Sequence, residues 1–227
     1  MRLTLCLGGS VLAPLGLDLA CFRKAARVLK ELKARGHEVL VVVGGGELAR
    51  VYIRAARELG ASDEVCDELG IAVTRLNARL LVSALGELAG REPASTLEAA
   101  LELLQAGKIP VLGGTSPGQT TDAVAAQLAE ASGSELLVYI SDVDGVYTSD
   151  PKLDPNAKKL ERLTAGELER IASSTKFKPG VRTIVDPLAA KLIARAGIKT
   201  LFLGKHELGR LCEVLEGAPH SGTAVTE

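Results

Sequence analysis

Gly113-Gly114-Thr115-Ser116-Pro117-Gly118-Gln119-Thr120-Thr121-Asp122 stands between an apolar run, Ile109 to Leu112, and a helical pattern, Ala123 to Glu130. A loop of glycines and hydroxyls between strand and helix, closed by a carboxylate at the helix start, has a specific chemistry. Glycines let the backbone approach a ligand closely. Amides at a helix N-terminus, with hydroxyl donors beside them, suit an anion such as phosphate. The loop reads as a small-molecule phosphate site, and the pattern points to a kinase.

Outward from this loop, the same junction recurs. Leu3 to Leu7 is an apolar run ended by Gly8-Gly9-Ser10, and Val39 to Val43 runs straight into Gly44-Gly45-Gly46. Five apolar residues in a row suit a strand buried on both faces of a parallel sheet. A helix begins near Glu47, and Arg50 lies one turn inside it, where a guanidinium can turn toward an anion held by the glycines. Leu136 to Ile140 is a further buried strand. It leads into Ser141-Asp142-Val143-Asp144-Gly145-Val146-Tyr147-Thr148-Ser149-Asp150-Pro151. Asp144-Gly145 is a hairpin signal, and the aspartates and Tyr147 can face a ribose, an adenine or a magnesium ion.

The helices between these strands carry their own stop and start signals. Asp18 caps a helix that Gly36 ends. Ser62 caps a long one reaching about Leu88, with Val65, Leu69, Val73, Leu76 and Leu80 at helical spacing and Asp67, Arg75 and Asn77 on or beside that stripe. So wide an apolar face can pack on the sheet or meet another subunit. Ser95-Thr96-Leu97-Glu98 and Thr164-Ala165-Gly166-Glu167 read as capping boxes. Asp186-Pro187 supplies a cap and an N1 proline. Ser173 to Gly180 reads as a loop, Thr200 to Leu203 as a strand, Leu208 to Leu215 as a helix, and Ser221 to Thr226 as an edge strand.

Strand and helix alternate throughout, which predicts an α/β fold: a three-layer α/β/α sandwich with a mainly parallel sheet. Ligands in such sheets bind outside the carboxyl ends of the strands. Four glycine-bearing strand ends then converge on one edge as a nucleotide-phosphate cleft.

Composition bounds the rest. The chain has 227 residues, 47% of them hydrophobic and 24% charged, as ordinary globular proteins do. A formal net charge of −1 argues against general nucleic-acid binding. Cys6, Cys21, Cys66 and Cys212 are scattered without a CxxC pair, so free thiols in a reducing cytosol fit better than zinc or disulfides. Gly8-Gly9-Ser10, Pro14, Gly16 and Asp18 break any signal-peptide core at the N-terminus. No apolar run approaches the length of a membrane span. The expectation is a cytoplasmic protein working on neither nucleic acid nor membranes.

These motifs, in this order over nearly the whole chain, resemble the amino-acid-kinase fold family and, within it, archaeal-type uridylate kinases. The most specific parts are the Gly113 to Asp122 loop and Asp67-Glu68-Leu69-Gly70-Ile71 with Thr74-Arg75-Leu76-Asn77-Ala78. The resemblance implies one domain over 1–227, with an acceptor half of roughly 1–130 and an ATP half of roughly 131–227. It implies transfer of the γ-phosphate of ATP to UMP, giving UDP and ADP in pyrimidine nucleotide synthesis. ATP phosphates would contact Gly9, Ser10, Gly46 and Arg50, and the adenosine would meet Ser141, Asp142, Tyr147 and Asp150. UMP would lie against Gly45, Asp67 and the loop Thr115, Ser116, Pro117, Gly118, Gln119, Thr120 and Thr121. Within this set, Asp67 would accept from the ribose hydroxyls and Thr120-Thr121 would hold the phosphate. Asp122 would organise the transfer site, Mg²⁺ would accompany ATP on ligands the motifs do not name, and the chain would assemble as a homohexamer.

The chain also departs from the pattern. Many members of the fold place a lysine where this chain has Cys6, and Asn is expected at Asp142. Lys176, Lys178, Arg182 or Lys191 is left to supply the missing charge. Two rivals remain: a kinase of the same fold acting on an amino acid, acylamino acid or carbamate, and a non-catalytic nucleotide- or oxyanion-binding protein.

Overall fold

A computed structural model describes residues 1–14, 16–149, 151, 154–174 and 185–226. Its centre is a seven-stranded sheet, ordered β3-β2-β1-β4-β8-β9-β7. The strands are β1 (Arg2–Leu7), β2 (Glu38–Val43), β3 (Val111–Leu112), β4 (Leu136–Ser141), β7 (Arg162–Thr164), β8 (Thr200–Gly204) and β9 (Thr223–Thr226). Strands β3, β2, β1, β4 and β8 are mutually parallel, with Leu5 opposite Val41 on one side and Val138 on the other. Parallel pairing carries all their carboxyl ends to one edge, so the glycine junctions after β1, β2 and β3 meet the end of β4 there.

Side-chain alternation along the strands builds the layers. Leu3, Leu5 and Leu7 with Val39, Val41 and Val43 face α2 (Leu19–Ala34) and α4 (Asp63–Leu85). Cys6, Leu40, Val42 and Leu112 face the other way, toward α5 (Leu97–Gln105), α6 (Thr121–Ser132), α7 (Ala165–Ser174) and α8 (Pro187–Ala196). Two apolar faces on one sheet demand cover on both, and the α/β/α sandwich follows. Two short helices, α1 (Gly9–Leu12) and α9 (Leu211–Leu215), and the helix α3 (Gly46–Glu58) are the other α-helices among the described residues.

Caps act as the residue chemistry predicts. Asp18 accepts from the Cys21 amide at 3.0 Å, Asp186 from Ala189 at 2.7 Å, and Thr164 and Glu167 form a reciprocal box. One cap differs: α5 is capped by Thr96, which accepts from Ala99, and not by Ser95. The hydroxyl one residue later sits where the helical amides begin.

Three further expectations are corrected. Thr223–Thr226 is no edge strand: β9 lies between β8, antiparallel, and β7, parallel. The edge belongs to β7, whose three residues are too few for a periodicity signal. Asp144-Gly145 is no two-residue turn either. It precedes β5 (Val146–Tyr147), which pairs antiparallel with β6 (Lys159–Leu160). Third, the helical stretch Asp63–Leu88 is long and apolar enough to cross a membrane by length and composition alone, with an 18-residue window of mean hydropathy 1.2. Its polar interruptions hide this from a search for unbroken runs. Here Val73, Ala78, Leu81, Val82 and Leu85 are buried within the fold.

Candidate active site

Two glycine loops touch at the sheet's carboxyl edge. A Cβ on Gly9 would lie 1.9 Å from the Gly46 nitrogen, and one on Gly44 would lie 2.4 Å from the Gly9 nitrogen. Gly46 also has φ +69°, and its Cβ would meet the carbonyl oxygens of Gly9 and Ala13. Only glycine fits such an approach and such a backbone. The junctions after β1 and β2 are thus one structure, with backbone amides beside the start of α3.

These loops line a cleft of about 280 Å³. Of the residues singled out in the sequence, Gly9, Ser10, Gly45, Gly46, Arg50, Thr121, Asp122, Ser141 and Asp142 face it together. Ser10 donates to Asp142 across the cleft at 2.9 Å, joining the β1 and β4 ends. Ser141 accepts from the Val143 amide and donates to the Val143 carbonyl, which fixes the turn after β4. Tyr139 and Phe202 stack with centroids 4.8 Å apart on the β4–β8 side.

The loop from Gly113 to Gly118 is held by side chains of α4. Asp67 accepts from the Gly118 amide at 2.7 Å, and the Thr74 hydroxyl accepts from the Gly114 amide at 2.7 Å. Arg75 donates to the carbonyls of Gly114 and Thr115. Thr115 and Pro117 line a second groove, over Ile71 and Arg75, while Ser116 and Gly118 are exposed. Gln119 is half-buried and is not among the residues lining the cleft. Thr120 is committed locally: it accepts from Ala123 as the cap of α6 and donates to Asp186 at 2.8 Å. Tyr147 donates to Asp144, which Lys159 also holds, and it is not among the residues lining the cleft. Asp150 lies outside the described residues.

Asp122 lines the cleft at the start of α6. Burial raises its carboxyl to about 6, with the charge of Asp186 adding to the effect. Tyr139 donates to its backbone oxygen at 2.9 Å. The Cys6 thiol donates to its carboxylate at 3.4 Å, and burial pushes that thiol well above its ordinary value. Cys6 is therefore a neutral core residue as expected, and it also touches the Asp122 carboxylate. Among the described residues lining the cleft, Arg50 is the only lysine or arginine. Lys191 is exposed on α8 and does not line it; Lys176, Lys178 and Arg182 lie outside the described residues.

Two residues hold the cleft in ways that their sequence reading does not state. Asn77 is 1% exposed and donates its amide to the carbonyls of Gly44, at 2.9 Å, and Gly45, at 3.2 Å. Asp186 reads as a helix cap, yet it also holds Thr120 and faces Asp122. A polar residue on the inward side of an apolar helix, as Thr74 and Asn77 are, is the signal that can be found in advance.

The profile of the amino acid kinase family matches residues 1–204. The chain belongs to the amino acid kinase family. It is 47% identical over 225 residues to the uridylate kinase of Pyrococcus abyssi, covering 99% of each chain. It is 48% identical to that of Thermococcus kodakarensis, again over 99% of each chain. It is 52% identical over 203 residues to that of Methanococcoides burtonii, covering 89% of this chain and 86% of the relative. The crystal structure of uridylate kinase from Archaeoglobus fulgidus has a TM-score of 0.86 at 40% identity over the full length of both chains. UMP kinase from Ureaplasma parvum shares the fold, with a TM-score of 0.80 at 23% identity over 100% of this chain and 99% of that one. Within the amino acid kinase family, then, this chain has a mainly parallel sheet that brings the glycine junctions to one edge. The site reaches it with Cys6, and not a lysine, beside Asp122.

Proposed function

We infer that the chain is a uridylate kinase, transferring the γ-phosphate of ATP to UMP to give UDP and ADP. The observation that carries this is identity of 47% with a uridylate kinase across 99% of both chains. The cleft chemistry agrees with it. Amides of Gly9 and Gly46, the Ser10 hydroxyl and the Arg50 guanidinium are donors suited to ATP phosphates. Ser141, Asp142, Tyr147 and Asp150 serve the adenosine side. UMP lies toward Gly45, Asp67 and the Thr115 to Thr121 loop, where Asp67 exchanges its bond with the Gly118 amide for the ribose hydroxyls. Thr121 is the hydroxyl of its pair that faces the cleft, so it and the loop amides meet the UMP phosphate.

Phosphoryl transfer requires positioning and charge neutralisation more than covalent chemistry. A UMP phosphate oxygen is already ionised and attacks the γ-phosphorus in line without a strong general base. Asp122 therefore orders the cationic groups around the transfer point and takes no proton from UMP. The donor set fits a metal carried by the nucleotide: among the described residues no three His, Cys, Asp or Glu cluster as a metal cage. Asp122 and Asp142 are hard oxygen donors in the cleft, as Mg²⁺ prefers, and Mg²⁺ keeps several waters and few protein ligands. Bound there, it neutralises charge on the ATP phosphates.

The remaining parts of the reading concern the whole chain. The two halves, roughly 1–130 and 131–227, share one continuous sheet and form one domain around the cleft. Self-association as a homohexamer is supported by apolar side chains left exposed on α3 and α4, among them Tyr52, Val65 and Leu76. Free Cys6, Cys21, Cys66 and Cys212 are in keeping with a reducing cytoplasm. A panel of acceptors with ATP and Mg²⁺ tests the assignment, with UMP the preferred substrate. Turnover of aspartate, acetylglutamate or carbamate but not UMP would overturn it, as would ATP binding without any turnover.

A further inference from the structure

Arg50 is the single cation among the described residues lining the cleft, and one neighbour fixes how it points. Its Nε donates to Glu47 Oε2 at 2.7 Å. The other carboxylate oxygen of Glu47 accepts from Arg54 at 2.8 Å. The pair is more than a mobile surface contact, since the side chains of Glu47 and Arg50 are only 28% and 27% exposed. The Glu47 backbone is anchored as well, its amide donating to the Ala13 carbonyl at 3.1 Å. Arg54 and then Arg50 hold the Glu47 carboxyl at about 2, so it is ionised at every working pH.

The geometry has a direct consequence. A guanidinium carries five donors in a rigid fork. Engaging it through Nε leaves the terminal amino groups to meet a phosphate, which a planar fork does in bidentate fashion. A carboxylate beside a phosphate site would ordinarily repel the ligand. Arg54 offsets this, because two guanidiniums and one carboxylate leave a net charge of +1.

We propose that Glu47 is a positioning residue for phosphoryl transfer, holding Arg50 side-on through Nε so that its terminal amino groups face the donor phosphates. Arg54 secures Glu47 from the far side. The proposal rests on the reading that Arg50 contacts ATP phosphates.

A double-mutant cycle in the full chain tests it. Steady-state kinetics with ATP, Mg²⁺ and UMP are measured for Glu47→Ala, Arg50→Ala and the double variant, with thermal unfolding followed by circular dichroism. Glu47→Ala should raise KM for ATP about five- to twenty-fold, leave KM for UMP within about two-fold and leave the unfolding temperature nearly unchanged. Glu47→Gln, which keeps an acceptor oxygen for Nε, should recover most of the loss. In the Arg50→Ala background the Glu47 substitution should cost less than about two-fold more. Equal cost in both backgrounds, or no cost in either, would overturn the positioning role. An Arg50→Ala variant with unchanged KM for ATP would overturn the phosphate role of Arg50 and this proposal with it. Continued UDP formation in that variant would still leave the kinase assignment standing.

Discussion

Asp122 titrates where enzymes are assayed, because the fold lifts its carboxyl to about 6. In the free protein it is ionised above that value and neutral below. The rate constant kcat/KM should therefore climb through pH 6, and a flat profile between pH 5 and 7 would remove Asp122 from the transfer site. Asp122→Asn should cut kcat by about a hundred-fold or more while leaving ATP affinity within a few-fold, measured by turnover and by titration calorimetry. The same residue makes a stability prediction of opposite sign. A carboxyl whose pKa is raised on folding stabilises the native state fully below its unfolded value, 3.8, and loses that contribution as pH rises through about 6. Asp122→Asn should thus be the more stable protein at pH 8, by about 2 kcal/mol, once screening by water in the cleft is allowed for. The gap should close near pH 4, which urea unfolding at the two pH values will show. At this scale much was legible: the carboxylate at the α6 start, the glycines and Arg50 all meet in the cleft. What Thr120 and Tyr147 do was not, because a hydroxyl's partner is set by whichever acceptor the fold brings near. For these two the acceptors are Asp186, 66 positions away, and Asp144, three positions away.

The helix α4 sets the spacing of the site. Asn77 ties down the loop after β2, while Thr74, Arg75 and Asp67 tie down the loop after β3. One element therefore fixes the two loops relative to each other. Asn77→Leu leaves two loop carbonyls without the buried amide. It should cost about 1–3 kcal/mol in urea unfolding and raise KM for ATP several-fold. An unchanged KM would show that the loop holds its shape unaided. Gly9→Ala places a Cβ 1.9 Å from the Gly46 nitrogen, so it should abolish ATP binding by separating the two loops. Elements with long patterns were legible: β1, β2, β4, α2, α4 and α6 all lie where periodicity and caps predict. Short ones were not. The pairing of β9 with β7, and of β5 with β6, is decided by tertiary contacts that two to four residues do not encode.

At the scale of the whole molecule, the parallel order β3-β2-β1-β4 makes four separate glycine signals into one edge. Each signal alone has a plain turn as its ordinary explanation; their convergence needs the topology. The exposed apolar face of α4 belongs to this scale too. Light scattering should report a homohexamer, and Leu76→Glu, at a residue 62% exposed in the single chain, should shift it toward smaller species. A monomer in the unaltered protein would leave that face unexplained. Direct transfer between two nucleotides held together in one cleft has a kinetic signature. Initial rates of UDP formation, with ATP and UMP varied against each other, test it most directly. Intersecting double-reciprocal lines, the mark of a ternary complex, are the predicted result. Parallel lines, or no UDP at any concentration of the two, would contradict it.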